Sequence, residues 1–276
     1  MALNFTKMHG LGNDFIVIDA INQSVSLTPQ QVQQLADRHF GIGCDQLLLV
    51  EAAANADADF RYRIYNADGG EVEQCGNGAR CFMQFVRDQG LTEKSQLQVE
   101  TLGGPLQLIQ QSNGEITVDM GVPRLEPADI PFTAAQRERD YVLEVIDRQF
   151  EIAAISMGNP HAVLLVDDIE NTDVARIGAA IERHPRFPER VNVGFMQIVD
   201  DERIRLRVFE RGAGETLACG SGACAAVVAG RQWERLSESV KVVLNGGELV
   251  VSWAGEGQPV LMTGPATTVY QGRIEL

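Results

Sequence analysis

The 276-residue chain has only three lysines, Lys7, Lys94 and Lys241. A pyridoxal-phosphate enzyme needs a lysine for its Schiff base, and none of the three lies in a setting that fits one, so that cofactor is set aside. No stretch approaches the roughly 18 unbroken apolar residues of a membrane span. Residues 1–15 lack a basic segment followed by an apolar run, so no secretory signal is read there. The expectation is a cytoplasmic protein without a membrane partner. Positive charge is scarce: the formal net charge is -15, which argues against nucleic acid as a partner. A small anionic substrate stays open, because helix N-termini and a single arginine make a site locally positive. Cysteine is scarce too. The five, Cys44, Cys75, Cys81, Cys219 and Cys224, are odd in number and contain no Cys-x-x-Cys pair. A disulfide framework and a metal site are therefore not expected. Catalytic or inert thiols remain. At roughly 150 residues per domain the length suggests two domains.

What is present is a repeat. Cys75-Gly-Asn-Gly-Ala-Arg-Cys81 matches Cys219-Gly-Ser-Gly-Ala-Cys224 at an offset of 144. Nine residues before each leading cysteine stands a polar residue, Asn66 and Glu210, and Gly70-Glu71 matches Gly214-Glu215. Farther out, Gly12-Asn13 matches Gly158-Asn159, and Gln46 falls opposite Asn192, both at an offset of 146. Gly103-Gly104 matches Gly246-Gly247, and Gly121 matches Gly264. One glycine-rich motif recurring by chance would not carry its flanks in order. The expected domains are 1–121 plus the tail 265–276, and 122–264. Pro123, Pro127 and Pro131 crowd the junction and read as a linker.

The apolar runs at 15–19 and 163–166 read as strands. Thr28-Pro29 opens a helix, with a threonine cap and proline at the first position. Further helices are expected just after Cys75 and Cys219, the first stopping near Gly90. Asn113-Gly114 and Asn245-Gly246 mark hairpin turns. Strands outnumber helices, so the fold class is α+β: two pseudo-symmetric domains, each a mainly antiparallel sheet around or against a helix, with the site between them.

The cysteine segments carry the chemistry. Glycines let the backbone turn tightly into a helix. The N–H groups of the first turn and the helix dipole then make an anion site. A thiol there is expected to have a lowered pKa. Two such segments, one per half, suit stereoinversion: one thiolate takes the α-proton, and the other thiol protonates the opposite face. The helix N-termini stabilise the enediolate charge. Cys44, Cys81 and Cys224 read as core filler. His161 has no counterpart in the first half and reads as a positioning residue; His9 is open between roles, and His39 and His184 read as surface or capping residues. Arg211 is the candidate partner for a substrate carboxylate. On the residues alone, a racemase of another amino acid or a two-lobed binding protein stays open.

Five stretches together, HGLGNDF (9–15), YNADGGEVEQCGNGARC (65–81), MGNPHAV (157–163), VNVGF (191–195) and ERGAGETLACGSGAC (210–224), resemble the diaminopimelate epimerase family over nearly the whole chain. The resemblance implies interconversion of LL- and meso-2,6-diaminopimelate, on the route to lysine and cell-wall peptide, without cofactor or metal. It implies Cys75 and Cys219 as the acid/base thiols. Gly76, Asn77, Gly220 and Ser221 would hold the reacting carboxylate through the main chain. Asn66, Glu210 and Arg211 would contact the reacting amino acid and its distal end, and Asn13, Gln46, Asn159 and Asn192 would line the rest, with His161 beside them. Ser221 stands where the family often has threonine, and keeps both the N–H and a hydroxyl. A homodimer is implied, with Tyr270 in its contact.

Overall fold

The computed structural model describes residues 2–73 and 75–276. Backbone contacts divide the chain into two units. One runs through Asp119 and takes back Thr263–Leu276; the other is Met120–Met262. In chain order the first unit holds β1 (Ala2–Gly10), β2 (Asn13–Asp19), α1 (Pro29–Ala36), β3 (Gln46–Ala52), β4 (Phe60–Asn66), β5 (Glu71–Val72), α2 (Gly76–Asp88), β6 (Gln96–Thr101), β7 (Gly104–Gln110) and β8 (Ile116–Asp119). The second holds β9 (Tyr141–Val145), β10 (Arg148–Ser156), β11 (Pro160–Leu165), α3 (Val174–Glu182), β12 (Asn192–Asp200), β13 (Arg203–Glu210), β14 (Gly214–Thr216), α4 (Gly220–Gln232), β15 (Ser239–Leu244) and β16 (Gly247–Trp253). Strand β17 (Val260–Gly264) carries the chain back, and β18 (Thr267–Glu275) pairs antiparallel with β1.

The two units repeat one ladder, register included. Parallel β2–β3 sets Phe15 opposite Gln46, and parallel β11–β12 sets His161 opposite Asn192, both shifted by 146. Antiparallel β4–β5 sets Tyr65 opposite Glu71, and β13–β14 sets Phe209 opposite Glu215. Parallel β4–β6 and β13–β15 correspond, as do the hairpins β6–β7 and β15–β16. Even an ion pair is duplicated: Arg63 grips Glu71 with two hydrogen bonds of 2.8 Å, and Arg207 grips Glu215 with bonds of 2.6 and 2.8 Å. Side chains two register positions apart on two hydrogen-bonded strands are matched this way in both halves because the whole supersecondary unit was copied. The fold is α+β and sheet-dominated, with most strand pairs antiparallel.

Each sheet is covered on both faces, which is why its inner strands read as unbroken apolar runs rather than alternating ones. In β2, Ile16 and Ile18 join Val32 and Leu35 of α1 in one cluster. Phe15 points the other way, because successive strand residues face opposite sides, and it meets α2 beside Gly78. The second unit repeats this. Ala162, Leu164, Val193 and Phe195 pack with Val174 and Ile181 of α3. Helix α4 is buried nearly all round, Gly222 through Gly230 without a break, as a helix wrapped by sheet must be.

Thr28 caps α1 as the sequence predicts, in a reciprocal capping box with Gln31. The proline-rich stretch is not a linker. The Arg124 backbone bridges to Ser156, Pro127–Asp129 forms a 3-10 turn, and Leu125, Ile130 and Phe132 are buried in the second unit's core. The prolines there fix turns between buried apolar side chains, which proline counting by itself does not separate from loose chain.

Candidate active site

Both cysteines take the same place: each is the N-cap residue of a helix, in extended backbone conformation. Cys75 precedes Gly76, the first residue of α2, and Cys219 precedes Gly220, the first of α4. Neither helix has an acidic residue in its first turn. The first intrahelical bonds run from Ala79 N–H to the Cys75 carbonyl (2.8 Å) and from Ala223 N–H to the Cys219 carbonyl (3.0 Å). The amides before them have no partner within the helix, so each cysteine stands at the positive end of a helix dipole. The second glycine of each motif is needed for room. A Cβ on Gly78 would lie 2.7 Å from the Tyr62 hydroxyl oxygen, and one on Gly222 would lie 3.2 Å from the Cys219 sulfur.

In the first unit Cys75 is half-buried, and its Sγ lies 3.7 Å from Asn13 Oδ1, which also accepts from Asn77 Nδ2 at 3.2 Å. Gln46 Nε2 donates to Asn66 Oδ1 at 2.9 Å across β3–β4. Asn13 is anchored from behind by a charged cluster that sequence reading missed. Asp45 accepts from Asn13 Nδ2 at 2.9 Å, and Arg38 bridges Asp14 and Asp45. Lys7, buried in β1, reaches Asp14 Oδ2 at 2.5 Å and the Gly43 carbonyl. Although burial opposes it, hydrogen bonds from Arg38 and Lys7 hold the Asp14 carboxyl well below the usual range. Asp14 follows the quoted Gly-Asn directly; the signal was there, but the partners lie 7 to 31 residues away in sequence.

In the second unit Cys219 is buried, with Ser221 Oγ at 3.7 Å. Asn159 Nδ2 donates to that Ser221 oxygen at 3.3 Å, and Asn159 Oδ1 meets His161 Nε2 at 3.0 Å. Asn192 is spent on the backbone: its Nδ2 donates to the Pro160 carbonyl, and its Oδ1 accepts the Arg211 N–H at 2.8 Å. That bond fixes the turn after β13. The Arg211 side chain is exposed and donates to the Glu189 carbonyl at 3.0 Å. Glu210 ends β13 and accepts from the Thr216 hydroxyl. Tyr270 is exposed on β18 with its ring edge-on to Phe5.

The Cys219 pKa differs from the sequence expectation. Burial, and then the Glu210 carboxylate, push Cys219 well above the ordinary thiol value, against hydrogen bonds from Ser221 and the Gly222 backbone that lower it. Desolvation by packed protein outweighs the helix N-terminus there. Cys44 and Cys81, both core residues, are pushed up to about 12 by burial. Burial, and then the Arg211 charge, lower His161 to about 3, so it is neutral at physiological pH. Its Nδ1 is buried without a hydrogen-bond partner among the described residues. No group of three or more His, Cys, Asp or Glu among the described residues is placed to hold a metal ion. No helix there is long and apolar enough to cross a membrane.

The comparisons with known proteins agree with this geometry. The profile of the diaminopimelate epimerase family matches residues 5–126 and 153–269. Curated diaminopimelate epimerases from Nitrosospira multiformis and Aromatoleum aromaticum are 61% and 63% identical to the chain, over all of it and over 99% and 100% of their own lengths. Among solved structures, a phenazine biosynthesis protein from Bacillus anthracis has a TM-score of 0.71 at 16% identity, over 100% of both chains. A hydroxyproline epimerase from Agrobacterium vitis has a TM-score of 0.70 at 17% identity, over 99% of this chain and 92% of that one. These two share the fold. With matched sequence over its whole length and two copies of one cysteine-capped unit, the chain is an amino-acid epimerase and belongs to the diaminopimelate epimerase family.

Proposed function

We propose that the protein interconverts LL- and meso-2,6-diaminopimelate by passing the α-proton between Cys75 and Cys219, without a cofactor. The observation that carries this is the duplicated helix start: in each unit a cysteine is the N-cap and a glycine is the first helical residue. One thiolate takes the α-proton and becomes a thiol. The C–H electron pair moves into the carboxylate as an enediolate. The other thiol gives its proton to the opposite face, the pair returns to carbon, and that sulfur is left as thiolate. Charge and protons balance over the turnover. The N–H groups around Gly76, Asn77, Gly220 and Ser221 supply donors where the enediolate charge grows. Glu210, whose carboxyl group lies close to Cys219, is the natural acceptor for that thiol's proton when Cys219 must act as base.

The remaining polar residues serve recognition. Asn66, Glu210 and Arg211 face the reacting amino acid and its distal end. Asn13, Gln46, Asn159 and Asn192 line or shape the remainder, and neutral His161 holds the Asn159 amide. Residues without a symmetric counterpart suit the distal arm, which leaves on one side only; Arg211 is the strongest of these, since a guanidinium binds carboxylate with two parallel bonds. The protein works in the cytoplasm as a homodimer, with the exposed strand around Tyr270 in the contact. The test is solvent exchange: LL-diaminopimelate incubated in deuterium oxide with the purified, chelator-treated protein should acquire α-deuterium and yield the meso form, while proline should do neither. Exchange on proline and not on diaminopimelate would overturn the substrate; binding without exchange on either would overturn the reaction.

A further inference from the structure

The half-site around Cys75 contains a hydrogen-bond chain whose direction is fixed by charge at both ends. Arg80 is fully buried on α2, and its Nη2 donates to Asn77 Oδ1 at 3.0 Å while its Nε donates to the Pro265 carbonyl at 3.0 Å. Asn77 Nδ2 donates to Asn13 Oδ1 at 3.2 Å, and Asn13 Nδ2 donates to Asp45 Oδ2 at 2.9 Å. Guanidinium only donates and carboxylate only accepts, so neither amide can be turned round without placing donor against donor. The amide orientations, usually a matter of choice, are here dictated. Space is made for the chain by Gly10, where a Cβ would lie 3.0 Å from the Arg80 guanidinium and 3.3 Å from the Asn77 Cβ. Asp45 is itself held: it accepts from Arg38 at 2.7 Å and from the Asp14 N–H at 3.1 Å, and its own N–H donates to Asp14 Oδ1 at 2.9 Å.

The consequence falls on Cys75. The fixed direction turns the oxygen of Asn13, not its NH2 group, towards the sulfur at 3.7 Å. An oxygen acceptor bonds S–H and repels S⁻, which favours the thiol. The copied half is wired the other way. Asn159 and Ser221 occupy the places of Asn13 and Asn77, but Asn159 donates to Ser221, which leaves the serine hydroxyl proton to donate to Cys219. In the motif alignment, the place of Arg80 is lost to the one-residue deletion before Cys224, and the place of Asp45 is taken by Val191. We propose that Asp45 and Arg80 are positioning residues that fix an amide relay beneath Cys75, so that Cys75 faces an acceptor that favours its protonated form. This rests on the two-thiol reading above.

Titratable groups near Cys75 within its unit include Tyr62 on β4, whose hydroxyl donates to the Cys75 carbonyl, and Cys81 on α2; Asp14, Lys7 and Arg38 stand behind Asp45. All of them stay in place in the test. The pH midpoint for iodoacetamide alkylation of Cys75 is measured by peptide mapping in wild type and Asp45→Asn, at low and at about 0.5 M salt, with Cys219 followed in the same digest and thermal stability recorded. Cys44 and Cys81, held as thiols by burial, stay silent. The relay predicts that the Cys75 midpoint falls by about half to one pH unit, roughly three- to tenfold more thiolate below the midpoint. The shift should be equal at both salt concentrations, with the Cys219 midpoint unmoved. An unmoved midpoint with only a lower melting temperature would make Asp45 a structural lock and overturn the proposal. So would a shift that vanishes in high salt, since a bare field effect of a half-exposed carboxylate is screened there. Arg80→Lys keeps the charge but not the two-way reach, and should also lower the midpoint; a folded Arg80→Lys protein with the wild-type midpoint contradicts the relay. None of these readings uses turnover. If Cys75→Ala turned over normally, the two-thiol function would fail while the alkylation result still decided the relay.

Discussion

Gly222→Ala adds one methyl group against the sulfur that the account makes catalytic. The new Cβ would lie 3.1 Å from Val208 Cγ2, 3.2 Å from Cys219 Sγ and 3.3 Å from Cys219 Cβ. Carbon contacts are comfortable at about 3.5–4.0 Å, so a neighbour must give way by a few tenths of an ångström. Val208 is locked in β13 and 1% exposed, whereas Cys219 is a cap residue outside the helical repeat, so the thiol moves. Stability should change little. Crowding a packed site costs about 1–3 kcal/mol, and alanine gains about 1 kcal/mol over glycine inside a helix. Activity should not be spared. A misplacement of about 1 Å costs on the order of a hundredfold, so a shift of a few tenths should lower kcat roughly tenfold. Gly230→Ala, on the same helix, supplies the contrast. Its Cβ would lie 2.2 Å from Leu236 Cδ1, so it should cost more stability and leave kcat of the folded protein near wild type. The assay is steady-state epimerisation alongside thermal melts of both variants. A Gly222→Ala enzyme with wild-type kcat, or a Gly230→Ala enzyme with the larger loss in kcat, would refute the argument that Cys219 needs this space.

Arg211→Ala should lower kcat/KM for diaminopimelate by roughly a hundredfold, about 2.7 kcal/mol, with a melting temperature near wild type, because the side chain is exposed and its guanidinium donates to the Glu189 carbonyl rather than to a buried group; a variant that binds normally but melts early would assign Arg211 to structure. His161, lowered to about 3 by burial and then the Arg211 charge, takes up its proton first in the unfolded chain as the pH falls. Its contribution is therefore intact above about pH 6.5 and is lost progressively from there down towards pH 3. At pH 5 the loss is about 2 kcal/mol, at 1.36 kcal/mol per unit. Urea titrations at pH 7 and pH 5 should show a smaller acid loss in His161→Gln than in wild type, and equal losses would contradict the burial argument. Cys81→Ala and Cys224→Ala should leave epimerisation near wild type, since both thiols are fully buried in helix cores; a large loss in either would place a needed thiol outside the two caps.

Much of this was legible because the information was local or duplicated. Thr28-Pro29 forms its cap within four residues, and the repeated Cys-Gly-x-Gly pair announced both helix starts. The proline cluster at 123–131 misled, because nothing local distinguishes a proline in a mobile joint from one that sets Leu125, Ile130 and Phe132 into a core. The Cys219 pKa was misjudged for a related reason: the helix N-terminus is visible in sequence, while complete burial beside Glu210 is a product of packing. The network behind Asn13 joins Lys7 of β1 to Arg38 and Asp45, both in the loop between α1 and β3. Arg80 even stood inside the quoted motif, yet only the fold shows that it is buried and aimed at Asn77.

The most direct measurement of the central claim is epimerisation of LL-diaminopimelate by Cys75→Ala and Cys219→Ala, each compared with wild type for turnover and for α-deuterium uptake. Acid and base act as a unit, so each substitution should lower epimerisation by several orders of magnitude while the variants remain folded and bind substrate. If Cys75→Ala, or Cys219→Ala, turns over at a near-normal rate, then one thiol suffices and the two-thiol account is contradicted.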